Sequence, residues 1–442
     1  MIAAVLEKNG YHVKVLDRLA LKLTENSILR EIREENPSII GITAMTPTIN
    51  SAINITRKIK EMNNDTIIVL GGPHVTLFPE ETLQRVPEVD IVVRGEGEQT
   101  MLELVKTLEN GEGLNSQVLG VTYREKDHVR SSPARPFISN LDSLPFPAFH
   151  LLPIAKYRPH PPYGRQLPSI PIVTSRGCPY RCIYCSKSVF GGKYRANSPM
   201  YIADEIEYLI KKFNVREITF YDDVFTLDKK RVFAICEELE RRRIEIPWTC
   251  ETRVNLVNEE LVKKMKKAGC YMIAYGVESG DQEILNNLKK DITLEQATRA
   301  FELTHKIGLQ TIAYFMIGSL GETPETIEET IKFAKKLDPD FVQFSITTPF
   351  PGTELFNLAV KEGMVSKDWN NYIYAGLRSI DYPAFETNTL NKEDLKRWNI
   401  RAYRSFYLRF HYFFKRLKKI RSFSEMKTNV KGLLVLLEMT RN

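Results

Sequence analysis

Three cysteines crowd into eight positions of the stretch RGCPYRCIYCS, at Cys178, Cys182 and Cys185. Thiolates this close together in a loop can converge on one metal centre, and iron–sulfur clusters are held by cysteine thiolates, usually four. A structural zinc site also needs four ligands, so three cysteines leave one position open. The spacing predicts a 4Fe–4S cluster with one iron free to hold a further molecule. The alternatives are a zinc site completed by His160 and a chance grouping.

The elements that must position these cysteines form an α/β series. Six candidate strands follow one another: Pro171–Gly177, Glu217–Asp223, Trp248–Arg253, Tyr271–Ser279, Thr311–Gly318 and Phe341–Phe350. Helical patterns lie between them, for example Ala203–Phe213, Lys229–Arg243, Glu259–Ala268 and Pro324–Leu337. Six βα units predict a partial, open β/α barrel, and chemistry in such barrels sits at the carboxyl ends of the strands.

The cysteine segment resembles the radical S-adenosylmethionine superfamily, whose signature is C-x3-C-x2-C. An aromatic residue usually precedes the last cysteine of that signature, and here it is Tyr184. The resemblance covers about Ile170 to Phe350. It implies that the open iron chelates S-adenosylmethionine, whose reductive cleavage gives a 5′-deoxyadenosyl radical that abstracts hydrogen from an unactivated carbon.

Further site residues follow from that resemblance. Asp222 or Asp223 would meet the amino group of the cofactor, although the family more often shows Gly-Gly-Glu there. Arg253 would meet its carboxylate or ribose, Glu278 and Ser279 its ribose, and the loop at Gly318 its adenine. For each of them the structural alternative is an ion pair or cap at a strand–helix turn.

The pattern of residues 1–130 predicts a doubly wound domain, because continuous apolar strands between helices indicate a parallel sheet covered on both faces. The predicted strands are Tyr11–Asp17, Ser38–Met45, Thr66–Gly72 and Asp90–Glu96. The predicted helices are Thr24–Glu35, Ile49–Met62, Glu80–Val86 and Glu98–Glu109.

This first domain resembles the cobalamin-binding domain that precedes many radical S-adenosylmethionine enzymes. The matching pieces are TAMTPT, GGPHVTLFP and VVRGEGEQT. Gly71, Gly72 and Gly95 would permit close approach of the corrin or its nucleotide tail. His74 is interpreted as a turn or supporting residue rather than a cobalt ligand, because the D-x-H-x-x-G loop of histidine-ligated relatives is absent.

The chain opens on a helical pattern, MIAAVLEKNG, where a doubly wound domain would place its central first strand. Tyr11–Asp17 then acts as the second strand. We therefore expect an upstream extension of about 20–40 residues that would complete the sheet, and cobalamin binding that is weakened without it.

Composition and charge define the remaining segments. Residues 131–169 are rich in proline and predict a linker, since no long helix can cross them. The net charge of +7 comes from the C-terminal segment, residues 351–442: Lys396 to Ser422 holds ten Lys or Arg and no Asp or Glu. Its interleaved aromatic residues suit packing over the barrel, with an anionic membrane surface or nucleic acid as alternatives.

The whole pattern predicts a cobalamin-dependent radical S-adenosylmethionine enzyme that methylates an unactivated carbon. The enzymatic alternative is an oxidative cyclase, and a non-enzymatic cluster-binding or nucleic-acid-binding protein ranks lower. We expect a small-molecule or lipid substrate, an electron donor such as ferredoxin or flavodoxin, peripheral membrane contact through the basic aromatic segment, and no specific nucleic acid. Six cysteines without a disulfide framework indicate a reducing, cytoplasmic location.

The first prediction concerns the cluster. Replacing Cys178, Cys182 and Cys185 together by Ala should abolish the bound iron, the sulfide and the paramagnetic signal of the reduced cluster, because the ligands are gone. Iron and sulfide analysis with electron paramagnetic resonance checks this. A variant that keeps a full cluster would show that the ligands lie elsewhere.

Overall fold

The structure, a computed structural model, describes residues 1–419 except 112, 115–116, 127, 160–161, 366–368 and 370–384. His160, the alternative zinc ligand, therefore lies outside the described residues, as does the end of the C-terminal segment.

A five-stranded sheet forms the first domain. Its strands, in spatial order, are β1 (Ile39–Thr43), β2 (Ile67–Gly71), β3 (Ile91–Val93), β4 (Val121–Glu125) and β5 (His128–Ser131). Its helices are α1 (Ile2–Lys8), α2 (Arg18–Leu21), α3 (Glu25–Glu35), α4 (Ile49–Met62), α5 (Pro73–Leu77), α6 (Pro79–Arg85) and α7 (Gly97–Glu109). Strands β1 to β3 are parallel, and their carboxyl ends meet at one edge.

Two sequence predictions for this domain are wrong. Tyr11–Asp17 is not a strand. Strand β1 pairs only with β2, so this segment has no neighbouring strand with which to form a ladder, and Lys14 instead pairs with Glu31 and Glu35 of α3. The sheet is also not wholly parallel, because β4 and β5 form a hairpin antiparallel to β3. A hairpin needs only a short connection, whereas a parallel strand needs a crossover.

The last part of the proline-rich linker crosses the amino-terminal end of the second sheet. The linker's described residues contain no α-helix, only three short 3-10 turns. Glu217, the first residue of its strand and fully buried, accepts hydrogen bonds from the backbone N–H groups of Gly164 and Gln166 at 2.8 and 3.0 Å. These bonds fasten the linker across the closed end of the barrel, opposite the predicted site.

The strands of the second domain, in chain order, are β6 (Ser169–Ile172), β7 (Ser175–Arg176), β8 (Arg195–Ala196), β9 (Glu217–Phe220), β10 (Trp248–Arg253), β11 (Cys270–Glu278), β12 (Gln310–Ile317) and β13 (Phe341–Ile346). Six of them are parallel and form the open barrel that the sequence predicts, in the order β6, β9, β10, β11, β12, β13. The helices are α8 (Pro199–Phe213), α9 (Lys229–Arg241), α10 (Glu259–Lys267), α11 (Gln282–Asn287), α12 (Leu294–Ile307) and α13 (Pro324–Leu337). Strands β7 and β8 form a separate two-stranded pair.

Side-chain caps begin all six of the barrel helices. In each, the capping side chain accepts a hydrogen bond from the backbone N–H three residues later; the caps are Ser198, Asp228, Asn258, Asp281, Thr293 and Thr323. A cap satisfies a donor that the first helical turn leaves open. The start of each helix is thereby determined locally, and the preceding strand-end loop is free to carry site residues.

The C-terminal helices are α14 (Glu354–Lys361), α15 (Lys392–Tyr407) and α16 (Phe410–Lys419). Helix α15 covers β13, the edge strand of the barrel. The Tyr407 hydroxyl donates to the carbonyl of Val342 at 2.8 Å and accepts from its N–H at 2.9 Å. Asn399 donates to the carbonyl of Phe344 at 2.9 Å. The packing interpretation of the basic aromatic segment is confirmed for this helix, which satisfies a strand edge that would otherwise be open.

No helix in the described part of the chain combines the length and the apolar composition that a bilayer crossing requires.

The second prediction tests the edge cover. Tyr407→Phe should lower the melting temperature, because it leaves the buried N–H and C=O of Val342 without their hydroxyl partner, at a cost of about 1–3 kcal/mol. Tyr11→Phe is the matched control, since its hydroxyl meets Glu109 on the exposed surface; its effect should stay within about 0.5 kcal/mol. If Tyr407→Phe and Tyr11→Phe lowered the melting temperature equally, α15 would not stabilise the edge of the barrel through Tyr407.

Candidate active site

A short β-pair holds the loop that carries the three cysteines. Strands β7 and β8 are antiparallel, and Arg176 stands directly opposite Arg195. Between them residues 177–194 form the cysteine loop. Gly177 opens it with a φ of 83°, and a Cβ there would lie 2.3 Å from the carbonyl oxygen of Lys193. Only glycine allows the loop to close this tightly.

The thiols of this loop differ in exposure. Cys178 and Cys182 are partly buried, and Cys185 is exposed. Burial raises the pKa of Cys178, and the carboxylate of Asp223 adds to the increase. Thiolates are the form that binds metal, so loading a cluster must displace these protons.

Within the described ranges, no three His, Cys, Asp or Glu side chains surround a single point as a mononuclear metal site would.

The two aspartates that follow β9 have different surroundings. Asp222 is 2% exposed and accepts three hydrogen bonds, from Thr174 N, Thr174 Oγ1 and Ser175 N at 2.6, 2.6 and 2.7 Å. Both its oxygens are therefore occupied in joining β9 to the strand before the cysteines. Asp223 is exposed, next to the cysteine loop. Of the pair, Asp223 has the free carboxylate.

Arg253 connects the cysteine loop to the far side of the barrel end. It ends β10 and is 4% exposed. Its guanidinium carbon lies 3.7 Å from the ring centroid of Tyr180, and Nη1 lies 3.6 Å from Sγ of Cys182. Nη2 donates to the backbone carbonyl of Lys290. A buried cation thus lies against one of the three thiols.

Glu278 forms a buried ion pair with Lys290. Lys290 Nζ lies 2.7 Å from Glu278 Oε1 and 3.1 Å from the hydroxyl of Tyr184. Burial, and then the Glu278 carboxylate, raise the pKa of Tyr184 well above its ordinary value, so its phenol stays neutral. Glu278 has a φ of 74°. A Cβ at Gly276 would lie 2.6 Å from Glu278 Oε1, so the pair needs glycine there.

Ser279 is fully buried, and its hydroxyl is used by the fold. Ser279 Oγ lies 3.1 Å from Thr330 Oγ1 of α13 and accepts from the N–H of Asp281 at 3.1 Å. The structural alternative, a cap at a strand–helix turn, describes this geometry.

The loop after β12 is also bonded internally. The N–H groups of Gly318 and Ser319 donate to Glu322 Oε2 at 2.5 and 2.8 Å. Glu322 is fully buried, and burial raises its pKa to about 7. With its N–H occupied, Gly318 offers only its carbonyl oxygen to an adenine ring.

In the first domain, the carboxyl ends of β1, β2 and β3 form a surface poor in side chains. We name it the glycine shelf: residues 43–45, 71–72 and 94–95. A Cβ at Gly71 would meet its nearest atom at 3.8 Å, and one at Gly95 would meet none within 4 Å. Gly72 differs, because a Cβ there would lie 2.8 Å from the carbonyl of Ala44. Met45 on the shelf is 52% exposed.

His74 lies behind the shelf rather than on it. It is fully buried, Nδ1 lies 3.1 Å from Thr46 Oγ1, and the ring of Trp369 packs edge-on at 4.5 Å between centroids. Burial, and then nearby Arg85, lower the pKa of His74 to about 4, so it is neutral at physiological pH. The covering indole places the imidazole among supporting residues.

Sequence reasoning missed Lys290 and Glu322. Lys289 and Lys290 are adjacent and identical in type, yet Lys290 is 5% exposed whereas Lys289 pairs with Glu354 on the surface. No pattern separates two such lysines. For Glu322, the glycines around it in GSLGET signalled a tight loop, and a carboxylate four residues after Gly318 could have been recognised as its cap.

The side chains present fit the cofactors that the resemblance implies. One of the three thiols, that of Cys182, lies beside the buried guanidinium of Arg253, which suits an anionic cluster. The free carboxylate of Asp223 suits an ammonium group. The glycine shelf leaves room on the edge of the first sheet for a flat, bulky ligand, with exposed Met45 as an apolar contact.

Comparisons with known proteins agree with this geometry. Residues 1–105 match the B12 binding domain, and residues 172–334 match the Radical SAM superfamily. An uncharacterized methyltransferase of Pyrococcus horikoshii is 39% identical over 92% of this chain and 86% of its own length. An anaerobic magnesium-protoporphyrin IX monomethyl ester cyclase of Rubrivivax gelatinosus is 36% identical over 80% of this chain and 64% of its own length.

Among solved structures, the cobalamin-dependent S-adenosylmethionine radical enzyme OxsB, with aqua-cobalamin and S-adenosylmethionine bound, superposes with a TM-score of 0.75. The alignment covers 98% of this chain and 67% of that chain at 19% identity, so it shows the shared fold. The chain belongs to the radical S-adenosylmethionine superfamily, among the enzymes whose barrel follows a B12-binding domain, because it matches both domains and is 39% identical to a relative over 92% of its length. Its cofactors are a 4Fe–4S cluster, S-adenosylmethionine and cobalamin.

Proposed function

We propose that the enzyme methylates an unactivated carbon of a small molecule or lipid in a cobalamin-dependent radical reaction. One observation carries this proposal: the glycine shelf and the cysteine loop are joined directly. Glu96, the residue after Gly95, bonds Arg176, two residues before Cys178, at 2.9 Å. A methyl transfer that needs both cofactors requires them at one site, and the contact supports that arrangement.

The cofactors supply the chemistry when bound: the cluster with S-adenosylmethionine provides the radical, and cobalamin provides the methyl group. The chain binds and orients them. We assign Cys178, Cys182 and Cys185 to the cluster, Asp223 to the ammonium group of S-adenosylmethionine and Arg253 to its carboxylate. Asp222, Ser279 and Gly318 act as positioning residues, since their polar groups are occupied by the fold.

Tyr184, Glu278 and Lys290 form a second contact group beside the cysteine loop. The neutral phenol of Tyr184 and the carboxylate of Glu278 share Lys290 as donor. This network can bond ribose hydroxyls without adding net charge. The exposed Val173 and Tyr221 lie on adjacent strand ends, on the face opposite buried Ile172 and Phe220, and are proposed to contact the substrate.

An oxidative or ring-forming reaction is the alternative, favoured by the 36% identity to the anaerobic cyclase. Ferredoxin or flavodoxin is the proposed electron donor. Peripheral membrane contact is proposed through α16, where Phe410 is 87% exposed among basic residues. Six unpaired cysteines suit a reducing compartment such as the cytoplasm.

The third prediction tests the reaction. Protein reconstituted anaerobically with iron, sulfide, cobalamin and reduced flavodoxin should form 5′-deoxyadenosine from S-adenosylmethionine. S-adenosylmethionine labelled in its methyl group should transfer that label to a component of host extract, detected by mass spectrometry. The triple cysteine variant is the control and should form no 5′-deoxyadenosine. Oxidised or cyclised products without label would favour the alternative reaction.

The fourth prediction separates the two aspartates. Asp223→Asn should weaken S-adenosylmethionine binding roughly 10–150-fold, because a charge-assisted hydrogen bond contributes about 1.5–3 kcal/mol, and should leave the melting temperature unchanged. Asp222→Asn should lower the melting temperature. The amide nitrogen of the Asn would stand in the place of Oδ2 and cannot accept the hydrogen bond that Thr174 Oγ1 donates there. The same hydroxyl already accepts from Arg231 Nη2 at 2.7 Å, so it is poorly placed to reverse its role. Unchanged cofactor affinity in Asp223→Asn, measured by equilibrium dialysis, would refute the assignment.

A further inference from the structure

The neck of the cysteine loop carries two like charges on directly opposed residues. Arg176 and Arg195 are a directly opposed cross-strand pair of β7 and β8. Like charges in that position destabilise a strand pair. Both side chains are also nearly buried, at 8% and 6% exposure, so water screens them little. The two-residue strands cannot hold this neck closed against such repulsion without outside help.

The help comes from the other domain. Glu96 accepts from Arg176 Nη1 at 2.9 Å and from Arg195 Nη1 at 2.8 Å. Glu98 accepts from Arg176 Nη2 at 2.6 Å. Two carboxylates thus neutralise two guanidinium groups, and both carboxylates are 5% exposed. The four side chains form what we name the neck clamp.

The clamp also fixes the orientation of the loop neck relative to the linker and the first domain. Arg195 bonds the carbonyls of Ile138 at 2.8 Å and Phe190 at 3.2 Å, the second within the cysteine loop itself. Glu96 Oε2 accepts from the N–H of Ile138 at 2.8 Å. The planar guanidinium holds several acceptors in one geometry, which a single ammonium cannot do.

Adhesion alone does not explain such a clamp. Replacing a buried ion pair by packed apolar side chains is often neutral or stabilising, whereas removing one partner is strongly destabilising. Apolar residues at this contact would join the two domains as firmly as the clamp does. Because apolar packing is not directional, it would allow one domain to slide against the other. Directional bonds between the shelf loop and the loop neck favour a role in alignment.

We propose that Glu96 and Glu98 are positioning residues for the cluster: they hold the neck of the cysteine loop closed and set its place relative to the glycine shelf. This rests on the proposed function only in assigning the cluster to that loop and cobalamin to that shelf. The first domain therefore contributes to the radical site directly, through the charge balance of the clamp.

The fifth prediction is tested first by amide hydrogen exchange on the protein without its cofactors. In Glu96→Gln, amide hydrogen exchange within residues 177–194 should rise at least about tenfold, because opening of the neck becomes easier. Glu103→Gln is the matched control: it removes a carboxylate from α7, the helix that Glu96 immediately precedes. The partner of Glu103, Arg135, lies outside the clamp. Exchange in Glu103→Gln should equal that of the unmodified protein.

The second measurement uses reconstituted protein. Pulsed electron paramagnetic resonance between cob(II)alamin and the reduced cluster should give a broader distance distribution in Glu96→Gln than in Glu103→Gln. The double variant Glu96→Gln with Arg195→Met should recover part of the lost melting temperature, since the charges balance again. Its distance distribution should stay broad, because methionine cannot hold orientation. If the double variant recovered both the melting temperature and the narrow distance distribution, the clamp would have a purely stabilising role, and the proposal would be overturned.

If Glu96→Gln does not accumulate as folded protein, Arg195→Lys takes its place: it keeps the charge and loses the planar fork, so exchange in the cysteine loop should still rise. If exchange in the cysteine loop of Glu96→Gln and of Arg195→Lys equals that of Glu103→Gln, the positioning role is overturned, whatever reaction the enzyme performs. This measurement does not depend on bound cofactors. Failure of the unmodified protein to take up cobalamin would overturn the proposed function and leave the exchange result standing.

Discussion

The cysteine loop has almost no regular structure of its own, and the site depends on the buried carboxylates that hold its base. Asp222 joins β9 to the backbone that precedes the loop through three hydrogen bonds. Glu96 holds both sides of the neck from the other domain. In a low-dielectric interior such bonds are strong when complete and costly when broken. The loop is therefore rigid at its base and open at its tip, where Cys185 is exposed.

Backbone strain concentrates at the same end of the barrel. Glu278, Lys289 and Asp291 have positive φ values of 74°, 50° and 52°. Such residues cost about 1–3 kcal/mol each and persist only where surrounding contacts over-determine them. Here those contacts are the bond from Arg253 to the Lys290 carbonyl and the Glu278–Lys290 pair. The arrangement prepares polar groups before any cofactor arrives, so little reorganisation is needed on binding.

An open six-stranded sheet leaves an exposed edge and an exposed end, and segments outside the barrel cover both. Helix α15 satisfies the backbone of β13 through Tyr407 and Asn399. The linker closes the amino-terminal end through Glu217 and through Tyr163, whose hydroxyl lies 3.1 Å from Glu251 Oε1. With these closed, the carboxyl end of the barrel remains open toward the first domain.

The sequence by itself determined the alternation of strands and helices in the barrel, and it predicted Cys178, Cys182 and Cys185 as the cluster ligands. Apolar strand runs and capping residues act locally, so Trp248–Arg253, Ile49–Met62 and Pro324–Leu337 were predicted to the residue. The spacing of the cysteines is local as well. Tyr11–Asp17 failed as a strand because a strand exists only with a neighbour, which a local pattern does not reveal. Only the tertiary structure decided that Asp222 is occupied and Asp223 free, that Lys290 is buried beside Glu278, and that Glu96 meets Arg176 and Arg195. Each of these depends on contacts between residues far apart in the chain, and charge and burial at a position follow from those contacts rather than from the residue type.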